Sequence, residues 1–173
     1  PKMNQQNPTP GEAVLVPGAI AALEAISKNY GRLSFKKALE PSIRLARNGF
    51  AVSKLYSNVL QSPLYQVILK RSEYGRETFY PKGQPLKEGD TLKLPVLADF
   101  LEHLAKEGSA YAYTGDWSKK FVKQVSANGG HLTSKDLSDY KIIWWTPPHI
   151  HYRDTEIYST SGRTYGGLMT LLA

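Results

Sequence analysis

The chain has no cysteine. That absence removes disulfides, thiolate metal sites and a cysteine nucleophile from these 173 residues. No apolar run approaches the ~20 residues that a membrane-spanning helix needs. The start does not read as a secretory leader either. Pro1-Lys2-Met3-Asn4-Gln5-Gln6 runs into a proline- and glycine-rich stretch instead of an apolar segment, although a processed chain has the same appearance. Internal repeats and low-complexity tracts are missing. Acidic residues are the scarcer sign, 15 against 22 lysines and arginines, for a net charge of +7. The excess is scattered, with Lys36-Lys37, Lys70-Arg71 and Lys119-Lys120 the only adjacent cations, and no arginine stripe alternates with stacking aromatics. Solvated helix faces account for this charge better than nucleic acid does, and no nucleic-acid partner is expected.

What remains is ordinary globular material, 41% hydrophobic and 21% charged, long enough for one real core. Residues 1–15 read as an extended lead-in. Residues 16–140 read as helical. Ala19, Leu23, Ile26 and Tyr30 share one face of a helix closed by Gly31. Ser34 caps a short helix to Leu39, and Pro41 opens another that ends at Asn48-Gly49. Ser53 and Ser62-Pro63 start two more, the second running to Tyr74-Gly75 with Leu64, Val67 and Ile68 inward. Residues 76–94 form an ordered loop. Pro95 begins a helix with Leu97, Leu101 and Leu104 on its inner face. A further helix carries Trp117, Phe121 and Val125 and stops at Gly129-Gly130, and Thr133 with Asp136 fits a capping box.

Residues 141–173 change period. Lys141–Trp145 reads as a strand, which places Trp144 and Trp145 on opposite faces. His149–Tyr152 and Thr155–Tyr158 flank Arg153-Asp154 as a tight hairpin. A helix then starts at Gly166. Two or three strands do not make a stable sheet alone, so this region reads as the beginning of a layer completed elsewhere.

Candidate chemistry is sparse. Gly162 and Gly167 have P-loop spacing, but Leu168 and Met169 stand where lysine and a hydroxyl are required. Ser161 lacks the flanking glycines of a nucleophile elbow, with Ser159 and Arg163 in their places. A helix start near Gly166-Gly167 suits an anion or, more simply, close packing on the strand. His149 and His151 project to one strand face at chelating spacing, without an evident third ligand. His103 and His131 have no sequence-local carboxylate or hydroxyl partner. Asp136 and Asp139 lie three apart, but Asp136 has the cap to hold. No metal site, no cofactor and no catalytic residue is assigned.

Several short motifs in fixed order nevertheless carry a resemblance. They are Val16-Pro17-Gly18 through Leu23, Tyr30–Leu33, Pro41–Ala46 with Asn48-Gly49-Phe50 and Val52-Ser53. Gly89-Asp90, Leu94-Pro95, Tyr113-Thr114-Gly115, Gly129-Gly130, Leu132-Thr133, Asp136-Leu137, Tyr140, Tyr152-Arg153 and Ile157–Ser159 follow. Together they resemble the γ-glutamyltranspeptidase family. The resemblance implies a fragment, α+β and mostly helical, of the four-layer αββα N-terminal-nucleophile hydrolase fold. It implies a proenzyme that cleaves itself before a threonine, which then attacks γ-glutamyl amides such as glutathione. The acyl group passes to water or an acceptor amine. In the family the threonine and oxyanion glycines lie downstream of the matched region and the substrate-binding arginine upstream, so no site residue carries over. The implied partners are the small-subunit segment, the rest of the large subunit and a small γ-glutamyl substrate. The implied compartment is periplasmic or extracellular. One stretch departs: where the family has a proline- and serine-rich loop, residues 160–167 keep only Gly166-Gly167. An acylase of the same fold is therefore an alternative, and a non-catalytic helical binding or scaffold domain is another.

Overall fold

The computed structural model describes residues 10–160 and 165–172. They fall into two compact units, one up to Tyr140 and one from Lys141.

In the first unit, side-chain caps fix several helix starts. The Ser34 hydroxyl accepts from the Lys37 amide to open α2 (Phe35–Asn48), and Ser53 does the same from Tyr56 to open α3 (Lys54–Gln61). α2 runs unbroken through Pro41, where two helices were expected. Pro41 lies on the exposed side, and the packing of α2 along α6 (Pro95–Glu107) holds the helix together past the missing amide. Arg47 clasps the two helices with its fork, one arm 2.7 Å from Asp99 and the other 2.7 Å from Glu102.

The expected long helix from Ser62 is two: α4 (Pro63–Leu69) and α5 (Glu73–Phe79). The break comes at Ser72, whose hydroxyl takes the Gly75 amide and restarts the helix. Leu64, Val67 and Ile68 do not point inward; each is about half exposed or more. The span 76–94 is more regular than a loop, holding the end of α5, a 3-10 turn at Pro81–Gly83 and β2 (Thr91–Leu92). β2 pairs antiparallel with β1 (Phe50–Ala51), Phe50 opposite Leu92. This ribbon and α3 enclose a small core of Val52, Leu60, Leu86 and Leu92, with Tyr80 donating its hydroxyl to the Leu60 carbonyl at 2.8 Å.

The larger core gathers α6, the short α7 (Ala110–Tyr113), α8 (Asp116–Ala127) and α9 (Ser134–Ser138) around Leu104, Ala112, Tyr113 and Leu137. Trp117 and Phe121 stack at 4.6 Å on its rim and Val125 is buried, as the spacing in α8 predicts. On α6, Leu104 is buried and Leu101 packs on the core, but Ala98 takes the inner place expected for Leu97, which is 42% exposed. The capping box is present, with Asp136 reaching back to Thr133.

α1 (Ala19–Tyr30) turns a different face inward from the one its spacing suggests. Ile20 and Ala21 pack on the core while Leu23, Ile26 and Tyr30 are 58%, 50% and 74% exposed. The helix is apolar on most of its circumference, so period alone does not choose the face. Tyr113 chooses it. Gly18 has no side chain with which to cap α1, and the Tyr113 hydroxyl, far along the chain, accepts from the Ala21 amide at 3.2 Å while donating to the Pro17 carbonyl. The Tyr140 ring stacks on Tyr113 at 5.5 Å, and its hydroxyl would lie 2.3 Å from any Cβ on residue 18. Val16-Pro17-Gly18 is thus a docking motif: Val16 packs against the core, Pro17 accepts and Gly18 gives room.

In the second unit, residues 141–148 are irregular and the expected strand there is absent. Trp144 and Trp145 are both more than half exposed. With Pro147-Pro148 close by, no partner strand pairs with this run among the described residues. The hairpin is formed, β3 (His149–Tyr152) against β4 (Thr155–Tyr158), with Arg153 at φ +53° in the turn. α10 (Tyr165–Leu172) follows.

Candidate functional site

The crossing from β4 to α10 is held by Ser159. The Ser159 amide donates to the Pro148 carbonyl at 3.0 Å and its hydroxyl to the Gly167 carbonyl at 2.9 Å. A Cβ on Gly167 would come within 2.4 Å of both the hydroxyl and carbonyl oxygens of Thr160, whereas Gly166 has open space. Close packing therefore requires the second glycine only. Ser161–Thr164, on which the P-loop and nucleophile-elbow comparisons turn, lie outside the described residues. Beside the crossing, Trp145, Pro147, Tyr158, Ser159 and Thr160 line an open concavity of about 530 Å³.

The hairpin gives the histidines company that the sequence does not make obvious. His151 is registered opposite Glu156, and its Nδ1 lies 2.9 Å from Glu156 Oε1. His149 sits diagonally across, its Nε2 3.8 Å from Glu156 Oε2, with its ring stacked on Tyr158 at 5.1 Å. One carboxylate thus addresses both imidazoles. The two-residue turn fixes this register, and pairing outward from Arg153-Asp154 finds Glu156 in the sequence.

Elsewhere, His103 does have a sequence-local carboxylate, contrary to expectation: Glu107, one helical turn on, is hydrogen-bonded to it at 2.8 Å, and its ring stacks on Tyr111 at 4.5 Å. It shares a shallow concavity with Asp99, Glu102 and Lys106. Burial pushes the Tyr111 phenol up, and neighbouring carboxylates add to the shift. Asp136 and Asp139 do not form an acid–base pair. The first is bound to the Thr133 hydroxyl and amide, which hold its carboxyl below the usual range, and the second is paired with Lys135. One member of each adjacent cation pair is also engaged: Lys37 with Glu40, Lys70 over the Tyr80 ring, Lys119 with Asp116. No described helix is long and apolar enough to cross a membrane.

A family model, Gamma-glutamyltranspeptidase, matches residues 1–173. The glutathione hydrolase proenzyme of Escherichia coli (strain K12) is 33% identical over 152 residues, 88% of this chain and 26% of that protein. Among solved structures, the γ-glutamyltranspeptidase of Helicobacter pylori superposes with a TM-score of 0.85 at 29% identity, over 95% of this chain and 49% of that one. The cephalosporin acylase of Bacillus halodurans does so with a TM-score of 0.77 at 28% identity, over 86% of this chain and 28% of that one. The chain belongs to the γ-glutamyltranspeptidase family. Its helices and hairpin are part of the N-terminal-nucleophile hydrolase fold. It spans about a quarter of the length of the E. coli relative.

Proposed function

We propose that the chain is the middle of the large-subunit region of an enzyme that cleaves γ-glutamyl amides such as glutathione and passes the acyl group to water or an acceptor amine. The observation that carries this reading is the likeness to the H. pylori enzyme along almost the whole chain. In this reading no residue of the chain is catalytic. The nucleophile is a threonine downstream, freed at its amine by self-cleavage. An α-amine of pKa ~7.7–8 is partly unprotonated near neutrality and serves as the threonine's base. An oxyanion hole in the same downstream segment stabilises the tetrahedral charge. The chain's own contribution is scaffolding, and the remainder of the same polypeptide is its partner. The compartment is periplasmic or extracellular, which fractionation of the host cell tests.

A second reading is an acylase of the same fold. It is supported by the likeness to the B. halodurans acylase and by residues 160–167, which keep only the Gly-Gly of the family's usual loop.

The test is the full-length protein, incubated until self-cleavage is complete on a denaturing gel, then given a chromogenic γ-glutamyl anilide. Turnover is expected there and not from the 173-residue chain alone; activity of the isolated chain refutes the proposal. Self-cleavage with turnover of other acyl amides but not γ-glutamyl ones selects the acylase. A full-length protein that neither cleaves itself nor turns over any amide is a binding domain.

A further inference from the structure

Where α4 gives way to α5, an open concavity of about 360 Å³ is lined by Lys70, Arg76, Glu77, Tyr80, Lys82 and Gly83. Three of these side chains are cationic and Glu77 alone is acidic, so the wall is net positive. Local contacts hold two of the cations in place. Lys70, at the end of α4, donates to Gln66 Oε1 at 3.0 Å, and its Nζ stands 4.5 Å from the centroid of the buried Tyr80 ring. Arg76 donates through one Nη to the Lys70 carbonyl at 2.7 Å, which ties the guanidinium to the same helix end. The third cation stands on an unusual backbone. Lys82 has φ +56° in the turn Pro81–Gly83, a left-handed conformation that few residues other than glycine adopt. Among the described residues no carboxylate pairs with Lys70, Arg76 or Lys82, and the remaining donors of Arg76 have no partner. Like charges gathered on one wall repel, and the Lys82 backbone adds strain; a bound anion offsets the first and gives the second a use.

We propose that this concavity binds a phosphate-class dianion, the phosphate group of a small monoester or of a lipid headgroup. Arg76 takes two oxygens through its Nε and the Nη that the Lys70 carbonyl leaves free, and Lys70 and Lys82 supply point charges. A dianion matches the excess of three cations over Glu77, which a single carboxylate does not. The volume is at the small end of ligand sites and suits one phosphate with a short organic body. α4 also exposes Leu64, Val67 and Ile68, which makes a lipid source worth testing beside a soluble one.

The experiment is calorimetric titration of the full-length protein with phenyl phosphate, at low salt and above the ester's second pKa of ~6. Beside it runs co-sedimentation with phosphatidylcholine vesicles, with and without phosphatidic acid. Circular dichroism confirms that each variant is folded. Lys70→Gln and Arg76→Gln should each weaken binding by about tenfold. Lys82→Asn should weaken it with the melting temperature unchanged, because asparagine tolerates the left-handed turn. Glu77→Gln should tighten it, which general loss of structure does not do. Binding of phenyl phosphate identifies a soluble ligand. Sedimentation only with phosphatidic acid, lost in the same variants, identifies the headgroup. A wild type that takes up neither at millimolar phosphate overturns the proposal, as do cation variants that bind as tightly as wild type.

Discussion

Tyr113 makes the sharpest demand on the structure, because one hydroxyl serves two partners at the start of a helix far away in sequence. Tyr113→Phe keeps the buried ring and the stack on Tyr140 but removes that oxygen. The Ala21 amide loses its cap and the Pro17 carbonyl its donor. A lost helix cap costs ~1 kcal/mol. A lost neutral hydrogen bond costs about as much again. The docking of α1 should therefore weaken by about 2 kcal/mol, close to a thirtyfold change in its local opening equilibrium. Hydrogen exchange resolves this directly. Amides of α1 should exchange about 30-fold faster in the variant. Those around Val52 and Leu60, which belong to the other core, should not change. Exchange in α1 within twofold of wild type refutes the reasoning. There is an alkaline counterpart. Burial, reinforced by Tyr140, raises the Tyr113 phenol above its usual value of ~10. A raised value means that its contribution is complete below ~10 and is lost as pH rises through the raised value, a loss that Tyr113→Phe should abolish.

Two further outcomes test the rest of the first unit. Leu60 is fully buried against Val52, Leu86 and Leu92, so Leu60→Ala should destabilise by ~2–5 kcal/mol in urea unfolding, and a change below ~1 kcal/mol contradicts that core. The Asp136 carboxyl is held low by the Thr133 hydroxyl and amide, so the cap's contribution is present above the usual carboxylate value of ~3.9 and fades as pH falls through the lowered one. Thr133→Ala should bring the Asp136 titration, followed by carboxyl NMR, back toward that usual value; an unmoved midpoint removes the capping box as the cause.

The elements readable from the chain are those whose partners are close in sequence. Ser34, Ser53 and Thr133 satisfy amides within the next three residues, so the helix starts they set are written locally. Arg153-Asp154 fixes the hairpin register for the same reason. Helix interiors were less legible. Pro41 reads as a boundary, yet the contact with α6 carries α2 past it, and Ser72 breaks a run that apolar spacing alone makes continuous. The order of motifs sufficed for the family, and one of them, Val16-Pro17-Gly18, answers to a contact that the fold makes with Tyr113 and Tyr140.

What the sequence determined by itself, then, was the local grammar of caps and turns, the helical character of residues 16–140 and the family. Tertiary structure decided which face each helix buries, the pairing of β1 with β2, the irregular path of 141–148 and the meeting of His149, His151 and Glu156. The reason is physical. A cap or a tight turn is settled by hydrogen bonds within a few residues, whereas α1, apolar on most of its circumference, is given its buried face by Tyr113, which binds its first turn.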